Sequence, residues 1–427
     1  MDIVVQPARK LRGTIMVPGD KSISHRAVII GSIAEGKTEI TGFLHAQDCL
    51  ATLTCMRQLG ASIDYDPRHQ KVTIEGKGLE GLEEPQDVLD AGNSGTTARL
   101  LLGLLSGQRF FSVITGDNSL RRRPMDRVTI PLRAMGARLQ GREGGKWLPV
   151  SIEGTRLHGI KHRLRVASAQ TKSALLLAGL YSSGSTEVQQ PASTRDHTER
   201  LLQAFGAQVE QKGNSIAVVG GCRLQGQKVE VPGDISSAAF FLVAGCLVPK
   251  SEIIVRDVGV NPSRTGILRI LQSMGADIEL FNRCEKLEPT SDVVVRSSTL
   301  RAVNITSEMV PDLIDELPVI AVAACLASGT TTIRGASELR VKESDRLAAI
   351  SSELSRLGAK IQELDDGLII EGVPRLRGGR VRSFGDHRIA MALAIAGIAC
   401  ESPVIIEGAE AVDISFPDFF CTLESLR

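Results

Sequence analysis

Aromatic residues are scarce in this chain, which has one Trp, two Tyr and 11 Phe among 427 residues. Proteins that recognise single-stranded nucleic acids stack bases on aromatic rings, so this shortage argues against such a role. The formal net charge is only +1, which also argues against a polyanion-binding surface. We therefore expect no nucleic-acid partner.

Long apolar runs and paired cysteines are also missing. The longest apolar stretches, such as 317–327, fall short of the roughly 20 residues that cross a bilayer. The first residues, MDIVV, lack the charged start and apolar centre of a secretory signal. The eight Cys stand singly, without a Cys-x-x-Cys, which favours reduced thiols over a zinc site or disulfides. We expect a cytoplasmic protein with no membrane partner.

What the sequence does have is a junction repeated six times, in which a short polar segment leads into an apolar stretch. The six junctions are Gly19–Ser22, Asn93–Thr96, Ser168–Thr171, Gly233–Ser236, Pro311–Ile314 and Gly385–Arg388. Ser, Thr, Asp and Asn at such places cap the free N–H groups of a helix start. Helix N-termini attract anions, so several of them directed at one cleft would hold a highly anionic small molecule.

A Gly-Ala pair ends an amphipathic stretch after five of the six junctions. The glycines of these pairs are Gly60, Gly136, Gly206, Gly275 and Gly358. Glycine is the usual residue just beyond a helix C-terminus. The sixth unit looks cut short before such a pair. We therefore predict an α/β (α+β) fold built from six copies of a module with two helices and several strands.

The segment Val-Pro-Gly-Asp occurs at 17–20 and again at 231–234, before the first and fourth modules. The repeated segment suggests that 17–20 and 231–234 occupy equivalent positions in two halves of the chain, each of three modules. We predict one domain from residues 1–18 and 233–427, because the N-terminal strands need a partner sheet, and a second domain from residues 19–232. The crossings near 17–20 and 231–234 are either a hinge for ligand closure or two ordinary tight turns.

Three segments carry more charge than a helix end needs. They are the start Lys21-Ser22 with Arg26, the run 121–127 (RRRPMDR), and the run 340–346 (RVKESDR), which is followed by Gly-Asp-His-Arg at 385–388. Cations at a helix start oppose its dipole unless an anion lies between them. Each segment taken alone also fits a solvated, ion-paired surface.

Two carboxylates stand out, one within the third segment and one before an apolar stretch. Glu343 lies beside Lys342 and Arg346, an arrangement that can hold a phosphate while offering a carboxyl for proton transfer. Asp312 precedes the apolar stretch 313–327, which predicts it as the N-cap of that helix. The sequence has no phosphate-binding P-loop, dinucleotide fingerprint or nucleophile elbow.

Taken in order, these motifs resemble the 5-enolpyruvylshikimate-3-phosphate synthase family. The matching segments are Gly-Asp-Lys-Ser (19–22) with Arg26, Asn-Ser-Gly-Thr-Thr (93–97), Arg-Pro-Met-Asp (123–126), Ser-Ala-Gln-x-Lys (168–172), Arg-Val-Lys-Glu-Ser-Asp-Arg (340–346) and Gly-Asp-His-Arg (385–388). The resemblance implies two domains, each of three βαβαββ modules about a pseudo-threefold axis. The pattern Arg195-x-His197-x-Glu199 is similar to the second class of the family, although 261–264 read Asn-Pro-Ser-Arg where that class usually has Asn-x-Thr-Arg.

The activity implied by the resemblance transfers the enolpyruvyl group of phosphoenolpyruvate to the 5-hydroxyl of shikimate 3-phosphate. Phosphate leaves by addition and elimination through a tetrahedral intermediate, on the shikimate pathway to chorismate and aromatic amino acids. The resemblance implies no cofactor and no metal. We expect a monomer whose partners are the two substrates.

The resemblance also implies a role for individual side chains. The catalytic residues would be Asp312, which takes the 5-hydroxyl proton, with Glu343, Lys342 and Lys21. The shikimate 3-phosphate site would consist of Lys21, Ser22, Arg26, Ser168, Ala169, Gln170, Arg195, Asp312 and Lys342. The phosphoenolpyruvate site would consist of Lys21, Gly95, Thr96, Arg123, Gln170, Arg346 and Arg388.

Two alternatives stay open at this point. A related enolpyruvyl transferase acts on UDP-N-acetylglucosamine, but it usually has a Cys in the loop before its Arg-Pro, and residues 116–121 contain none. A non-catalytic phospho-ligand or RNA-binding module on the same repeats predicts binding without turnover. Such a module has no need for Glu343 or Asp312.

Overall fold

The chain folds into two compact units, which we describe from a computed structural model of residues 1–427. Residues 1–18 and 232–427 form the first unit, and residues 19–231 form the second. The sequence analysis places this boundary one residue later, between 232 and 233. None of the helices combines the length and apolar character needed to cross a bilayer.

Twenty-five strands make up the sheets of the two units. They are β1 (Asp2–Val5), β2 (Arg12–Met16), β3 (Glu35–Thr41), β4 (Ser62–Asp66), β5 (Lys71–Lys77), β6 (Leu89–Asp90), β7 (Phe111–Thr115), β8 (Arg138–Gly141), β9 (Trp147–Glu153), β10 (Leu157–His158), β11 (Lys161–Arg163), β12 (Ser182–Ser183), β13 (Ser185–Gln189), β14 (Val209–Lys212), β15 (Ser215–Val219), β16 (Lys228–Glu230), β17 (Glu252–Gly259), β18 (Asp277–Glu285), β19 (Pro289–Arg296), β20 (Asn304–Ile305), β21 (Thr330–Ile333), β22 (Lys360–Leu364), β23 (Gly367–Glu371), β24 (Gly379–Arg382) and β25 (Val404–Glu407).

Thirteen helices accompany these strands. They are α1 (Lys21–Ser32), α2 (Gln47–Gln58), α3 (Gly95–Ser106), α4 (Asp126–Ala134), α5 (Arg142–Gly145), α6 (Ala169–Gly179), α7 (His197–Ala204), α8 (Ile235–Leu247), α9 (Gly266–Ser273), α10 (Leu317–Cys325), α11 (Arg346–Arg356), α12 (His387–Ile398) and α13 (Phe419–Glu424). Short 3₁₀ turns span Leu120–Arg122, Val310–Asp312, Ser337–Val341 and Ala409–Ile414.

One four-stranded sheet pattern occurs five times and once more in a three-stranded form, as the six-fold repeat predicts. In β6-β7-β9-β8, the first pair is parallel and the other two pairs are antiparallel. Sheets β16-β3-β5-β4, β11-β13-β15-β14, β2-β17-β19-β18 and β20-β21-β23-β22 repeat this order. The sixth sheet has three strands, β24-β25-β1, because the last module is completed by the first strand of the chain.

The two crossings between the units determine which sheet receives the preceding strand. Strand β2, just before the first crossing, pairs in parallel with β17 of the first unit. Strand β16, just before the second crossing, pairs in parallel with β3 of the second unit. In each unit, the first strand of one module therefore lies far in sequence from the rest of that module. The matching Val-Pro-Gly-Asp segments follow these two strands at equivalent positions.

The Gly-Ala pairs mark helix ends as predicted. Helices α2, α4, α7, α9 and α11 each stop two residues before the glycine of a pair. Those five glycines have positive φ angles between 81° and 99°, a region that side chains other than glycine rarely adopt. The chain then reverses into the next strand of the module.

One helix in each module is buried along nearly its whole length. These are α1, α3 and α6 in the second unit and α8, α10 and α12 in the first. Their side chains fill the cores, so a Leu-to-Ala change in them should destabilise a unit by about 2–5 kcal/mol. The polar side chains of these helices are concentrated toward their N-terminal ends.

Candidate functional site

The N-terminal turns of α1, α3 and α6 gather the polar residues of the second unit. Asp20, Ser94 and Ser168 cap these helices. The side chain of each accepts a hydrogen bond from the backbone N–H three positions later in the chain, at 3.0, 3.1 and 3.3 Å. These three N-caps match the sequence prediction. Free backbone donors of three helices are thus presented within one compact unit.

A buried chain of hydrogen bonds ties α1 to α3. His25 Nδ1 lies 2.7 Å from Thr52 Oγ1, which lies 2.6 Å from Thr97 Oγ1, and Thr97 donates to Ser94 Oγ at 2.7 Å. Burial, together with the charges of Lys21 and Arg26, lowers the pKa of His25 well below its usual range. The imidazole is therefore neutral at pH 7.

The basic residues at the start of α1 are held by specific partners. Lys21 Nζ lies 2.5 Å from the Asp48 carboxylate. Arg26, which is buried, donates to the Ser22 carbonyl oxygen at 2.8 Å. Arg195 Nη1 lies 3.4 Å from Ser22 Oγ. The structure thus brings together Lys21, Ser22, Arg26 and Arg195, which the sequence analysis assigns to one substrate.

A second group of side chains lies at the starts of α3 and α6. Gln170 donates to Thr96 Oγ1 at 2.9 Å and accepts a hydrogen bond from Arg99 Nη1 at 2.5 Å. A Cβ at Gly95 would lie 2.9 Å from Arg99 Nη1 and 3.6 Å from Arg123 Nη1. Gly95 therefore keeps room beside two guanidinium groups.

Arg123 is fixed by the loop that precedes α3. Its Nη1 donates to the Asn93 carbonyl oxygen at 3.2 Å, and its Nη2 donates to Asn93 Oδ1 at 2.5 Å and to Ser119 Oγ at 3.1 Å. The side chain is only 6% exposed. A planar guanidinium held by three oxygens is a preorganised anion partner.

The first unit holds a separate cluster of cations around three carboxylates. Arg346 donates to Asp386 at 2.8 Å and to Glu343 at 2.6 Å, and lies 3.4 Å from Asp315. Lys342 and Arg388 also face Asp315, at 3.7 and 3.8 Å. Burial opposes the charge of Arg346, but the carboxylates of Asp386 and Glu343 outweigh it and raise its pKa above the usual value.

The predicted helix start at Asp312 is wrong. Residues Val310–Asp312 form a 3₁₀ turn, and α10 begins only at Leu317, where Glu316 is the N-cap residue without a side-chain capping bond. The signal that the sequence analysis missed is Pro318, because proline favours the first turn of a helix. Asp312 instead forms an ion pair with Arg269 at 2.5 Å.

Asp315, rather than Asp312, is the carboxylate that lies among the cations of the first unit. Two residues in a turn, Leu313 and Ile314, separate the two carboxylates, which have different partners. Asp315 faces Lys342, Arg346 and Arg388. Asp312 instead pairs with Arg269, whose side chain is 54% exposed.

Comparison with known proteins identifies the family of this chain. The sequence model of EPSP synthase (3-phosphoshikimate 1-carboxyvinyltransferase) matches residues 5–423. This chain belongs to the EPSP synthase family. It is 56% identical over 428 residues to the 3-phosphoshikimate 1-carboxyvinyltransferase of Desulforudis audaxviator, covering 100% of both chains. It is 55% identical to that of a Synechococcus species, covering 99% of this chain and 96% of the relative.

Solved structures of EPSP synthase from Acinetobacter baumannii share the fold. One of them superposes with a TM-score of 0.89 at 45% identity and covers 100% of this chain and 98% of that one. A second gives 0.88 at 44% identity. The predicted family and the predicted mixed α/β architecture are thereby confirmed.

Most residues that the sequence analysis singles out lie in one of the two clusters. The second unit carries Lys21, Ser22, Arg26, Gly95, Thr96, Arg123, Ser168, Ala169, Gln170 and Arg195; the first carries Lys342, Glu343, Arg346 and Arg388. Asp312 lies outside the cation cluster. The sequence analysis missed Asp48, Arg99 and Asp315, whose partners come from other helices and leave no local pattern.

Proposed function

We propose that this chain transfers the enolpyruvyl group of phosphoenolpyruvate to the 5-hydroxyl of shikimate 3-phosphate, with release of phosphate. The chain belongs to the EPSP synthase family, and its relatives share the name 3-phosphoshikimate 1-carboxyvinyltransferase. This reaction belongs to the shikimate pathway and aromatic amino acid biosynthesis. The observation that carries the mechanism is Asp315 among three cations, beside the Glu343–Arg346 pair.

The acceptor, shikimate 3-phosphate, is assigned to the starts of α1, α6 and α7. Ser22, Arg26 and Arg195 are linked by hydrogen bonds, and Ser168, Ala169 and Gln170 supply the first turn of α6. Both a carboxylate and a phosphate on the acceptor need cations and helix N–H donors, which these positions offer. Lys21 is assigned to both substrates.

Phosphoenolpyruvate is assigned to Gly95 and Thr96 at the start of α3, to Gln170 and Arg123, and to Arg346 and Arg388 of the first unit. The donor carries a phosphate and a carboxylate, which suit the forked geometry of arginine. Gly95 admits the ligand close to the helix N-terminus because a methyl group there would press on Arg99.

Two carboxylates are assigned to proton transfer. Asp315 accepts the 5-hydroxyl proton as the oxygen attacks C2 of phosphoenolpyruvate, while Glu343 protonates the methylene carbon C3. The tetrahedral intermediate then loses phosphate from C2 and a proton from C3. Glu343 takes this proton back, and Asp315 passes the hydroxyl proton to the departing phosphate. Lys342, next to Asp315, stabilises the negative charge that develops during the addition and can take part in proton transfer.

Phosphate release from phosphoenolpyruvate tests this function. Release should require shikimate 3-phosphate and should stay at background with UDP-N-acetylglucosamine in its place. Release with the nucleotide sugar alone would favour the related transferase, and binding of both substrates without release would favour a non-catalytic module. The enolpyruvyl product is identified by mass spectrometry.

We further propose that the crossings near 17–20 and 231–234 act as a hinge when ligands bind. Ligand anions would neutralise repulsion within each cation cluster, so ligand-bound states should be more compact. Small-angle scattering with shikimate 3-phosphate and an unreactive phosphoenolpyruvate mimic should give a smaller radius of gyration. An unchanged radius at saturation contradicts the hinge.

We also propose that the enzyme works as a monomer in the cytoplasm. The eight cysteines are all free, as expected for a reducing compartment. Light scattering on the eluting protein would give the mass of one chain, and a dimer mass would contradict the monomer.

A further inference from the structure

A buried ion pair joins α6 to α7 beneath the proposed acceptor residues. Lys172 Nζ lies 2.5 Å from Glu199, and the two side chains are 1% and 5% exposed. Burial lowers the pKa of Lys172, although the charge of Glu199 opposes this shift. Charges this deeply buried are rare unless they are paired.

Lys172 also holds the backbone of the loop that carries Arg195. Its Nζ donates to the Arg195 carbonyl oxygen at 2.9 Å and to the Thr194 carbonyl oxygen at 3.4 Å. One ammonium group therefore satisfies two carbonyls and a carboxylate. Lys172 therefore helps to fix the backbone from which the Arg195 side chain extends.

A neighbouring layer of the same two helices holds Arg26. Ser173 directly follows Lys172 in the sequence, and Thr198 directly precedes Glu199. The hydroxyl oxygens of Ser173 and Thr198 lie 2.6 Å apart. Arg26 donates to Thr198 Oγ1 at 2.6 Å and to Ser173 Oγ at 2.9 Å. The α6–α7 contact thus fixes Arg26 through two hydroxyls and Arg195 through the ion pair.

A gain in the stability of the folded protein does not by itself explain the buried Lys172–Glu199 ion pair. A buried ion pair is often replaced by apolar residues of similar size without loss of stability, because burying two charges offsets their attraction. Glu199 Oε2 has no hydrogen-bond partner, so the carboxylate is not optimised as a structural group. Lys172 of this pair does hold two backbone carbonyl oxygens, those of Thr194 and Arg195.

We propose that Lys172, paired with Glu199, is a positioning residue that sets the place of Arg195 and thereby the affinity for shikimate 3-phosphate. This inference rests on the acceptor role proposed for Arg195. Lys172 itself touches no substrate in this proposal. A misplacement of about 1 Å caused by a distant mutation can lower a reaction rate by roughly 10²-fold. Because Arg195 is assigned to the acceptor, we expect the loss to appear in the affinity for the acceptor.

The test uses the double variant Lys172→Met/Glu199→Leu, which removes both charges and leaves neither one buried alone. Its melting temperature should stay near that of the parent protein, while the Kd for shikimate 3-phosphate, measured by calorimetry without phosphoenolpyruvate, should rise about 10–100-fold. The KM for phosphoenolpyruvate at saturating acceptor should change less than about threefold. Leu202→Ala, a core change on α7, is the matched control and should lower the melting temperature without changing the acceptor Kd.

Each result separates this inference from the proposed function. A folded double variant with an unchanged acceptor Kd overturns the positioning role. An unchanged acceptor Kd in Arg195→Ala overturns the role proposed for Arg195 instead. If the double variant does not fold, Glu199→Gln keeps the shape of the pair and should raise the acceptor Kd by a smaller factor; no rise in that folded variant also contradicts the inference.

Discussion

Replacing Asp315 with Asn should abolish most turnover, whereas replacing Asp312 with Asn should not. Asp315 lies 3.4–3.8 Å from three cations, and its side chain is 12% exposed. At an effective dielectric constant of about 20, each such pair interacts by roughly 4–5 kcal/mol before desolvation. Asn keeps the size of the side chain but can neither balance these charges nor accept the hydroxyl proton.

The expected loss follows from the proton-transfer role. General base catalysis contributes about 10²–10⁴-fold, so kcat should fall by that factor in Asp315→Asn. Asp312 pairs with Arg269, which is largely exposed, and surface ion pairs contribute about 0–1 kcal/mol. Asp312→Asn should therefore keep kcat within about threefold and lower the free energy of unfolding by less than about 1 kcal/mol.

Phosphate release and rapid-quench detection of the tetrahedral intermediate measure both variants. Thermal unfolding checks that Asp315→Asn is folded. If Asp312→Asn loses turnover by 10²-fold or more while Asp315→Asn stays within tenfold of the parent, the assignment of the base is wrong. Equal large losses in both folded variants would mean that the two carboxylates act together.

Three further changes probe other parts of the molecule. Glu343→Gln should lower kcat by about 10²–10⁴-fold while Kd for phosphoenolpyruvate, measured by calorimetry, changes little; near-normal turnover would remove Glu343 from the mechanism. Gly95→Ala should raise the KM for phosphoenolpyruvate more than that for shikimate 3-phosphate, because the added methyl presses on Arg99; equal changes in the two KM values would contradict this. His25 is protonated more readily in the unfolded chain, so stability should fall as pH drops below about 6.5, by about 1.4 kcal/mol between pH 7.5 and 5.5. Urea unfolding of His25→Gln at both pH values should show a pH dependence smaller by that amount, and an identical dependence would refute the neutral, buried imidazole.

Local signals predict much of this fold correctly. Five of the six helix starts agree with the structure because Ser or Asp N-caps act within one turn of the chain. The Gly-Ala helix ends agree for the same reason, since glycine satisfies a local backbone requirement. The repeat of these signals indicates six modules without any knowledge of their packing.

Long-range pairing explains what the sequence does not reveal. Asp315 is distinguished from Asp312 by contacts with Lys342, Arg346 and Arg388, which lie in later segments. The sequence analysis places the N-terminal strands in the same domain as the C-terminal modules, but it does not identify β25 as the strand that pairs with β1. Partners of this kind depend on the packed fold.

The strand exchange also fixes an order of events during synthesis. Residues 19–231 are one uninterrupted stretch and can fold as soon as they have left the ribosome, whereas β1 pairs with β25 through Asp2 and Glu407. At about 5–20 residues per second, the first strand waits roughly 20–80 s for its partner. The nascent chain thus carries an unpaired N-terminal strand beside an already folded domain, a state in which chaperone protection of residues 2–16 would matter most.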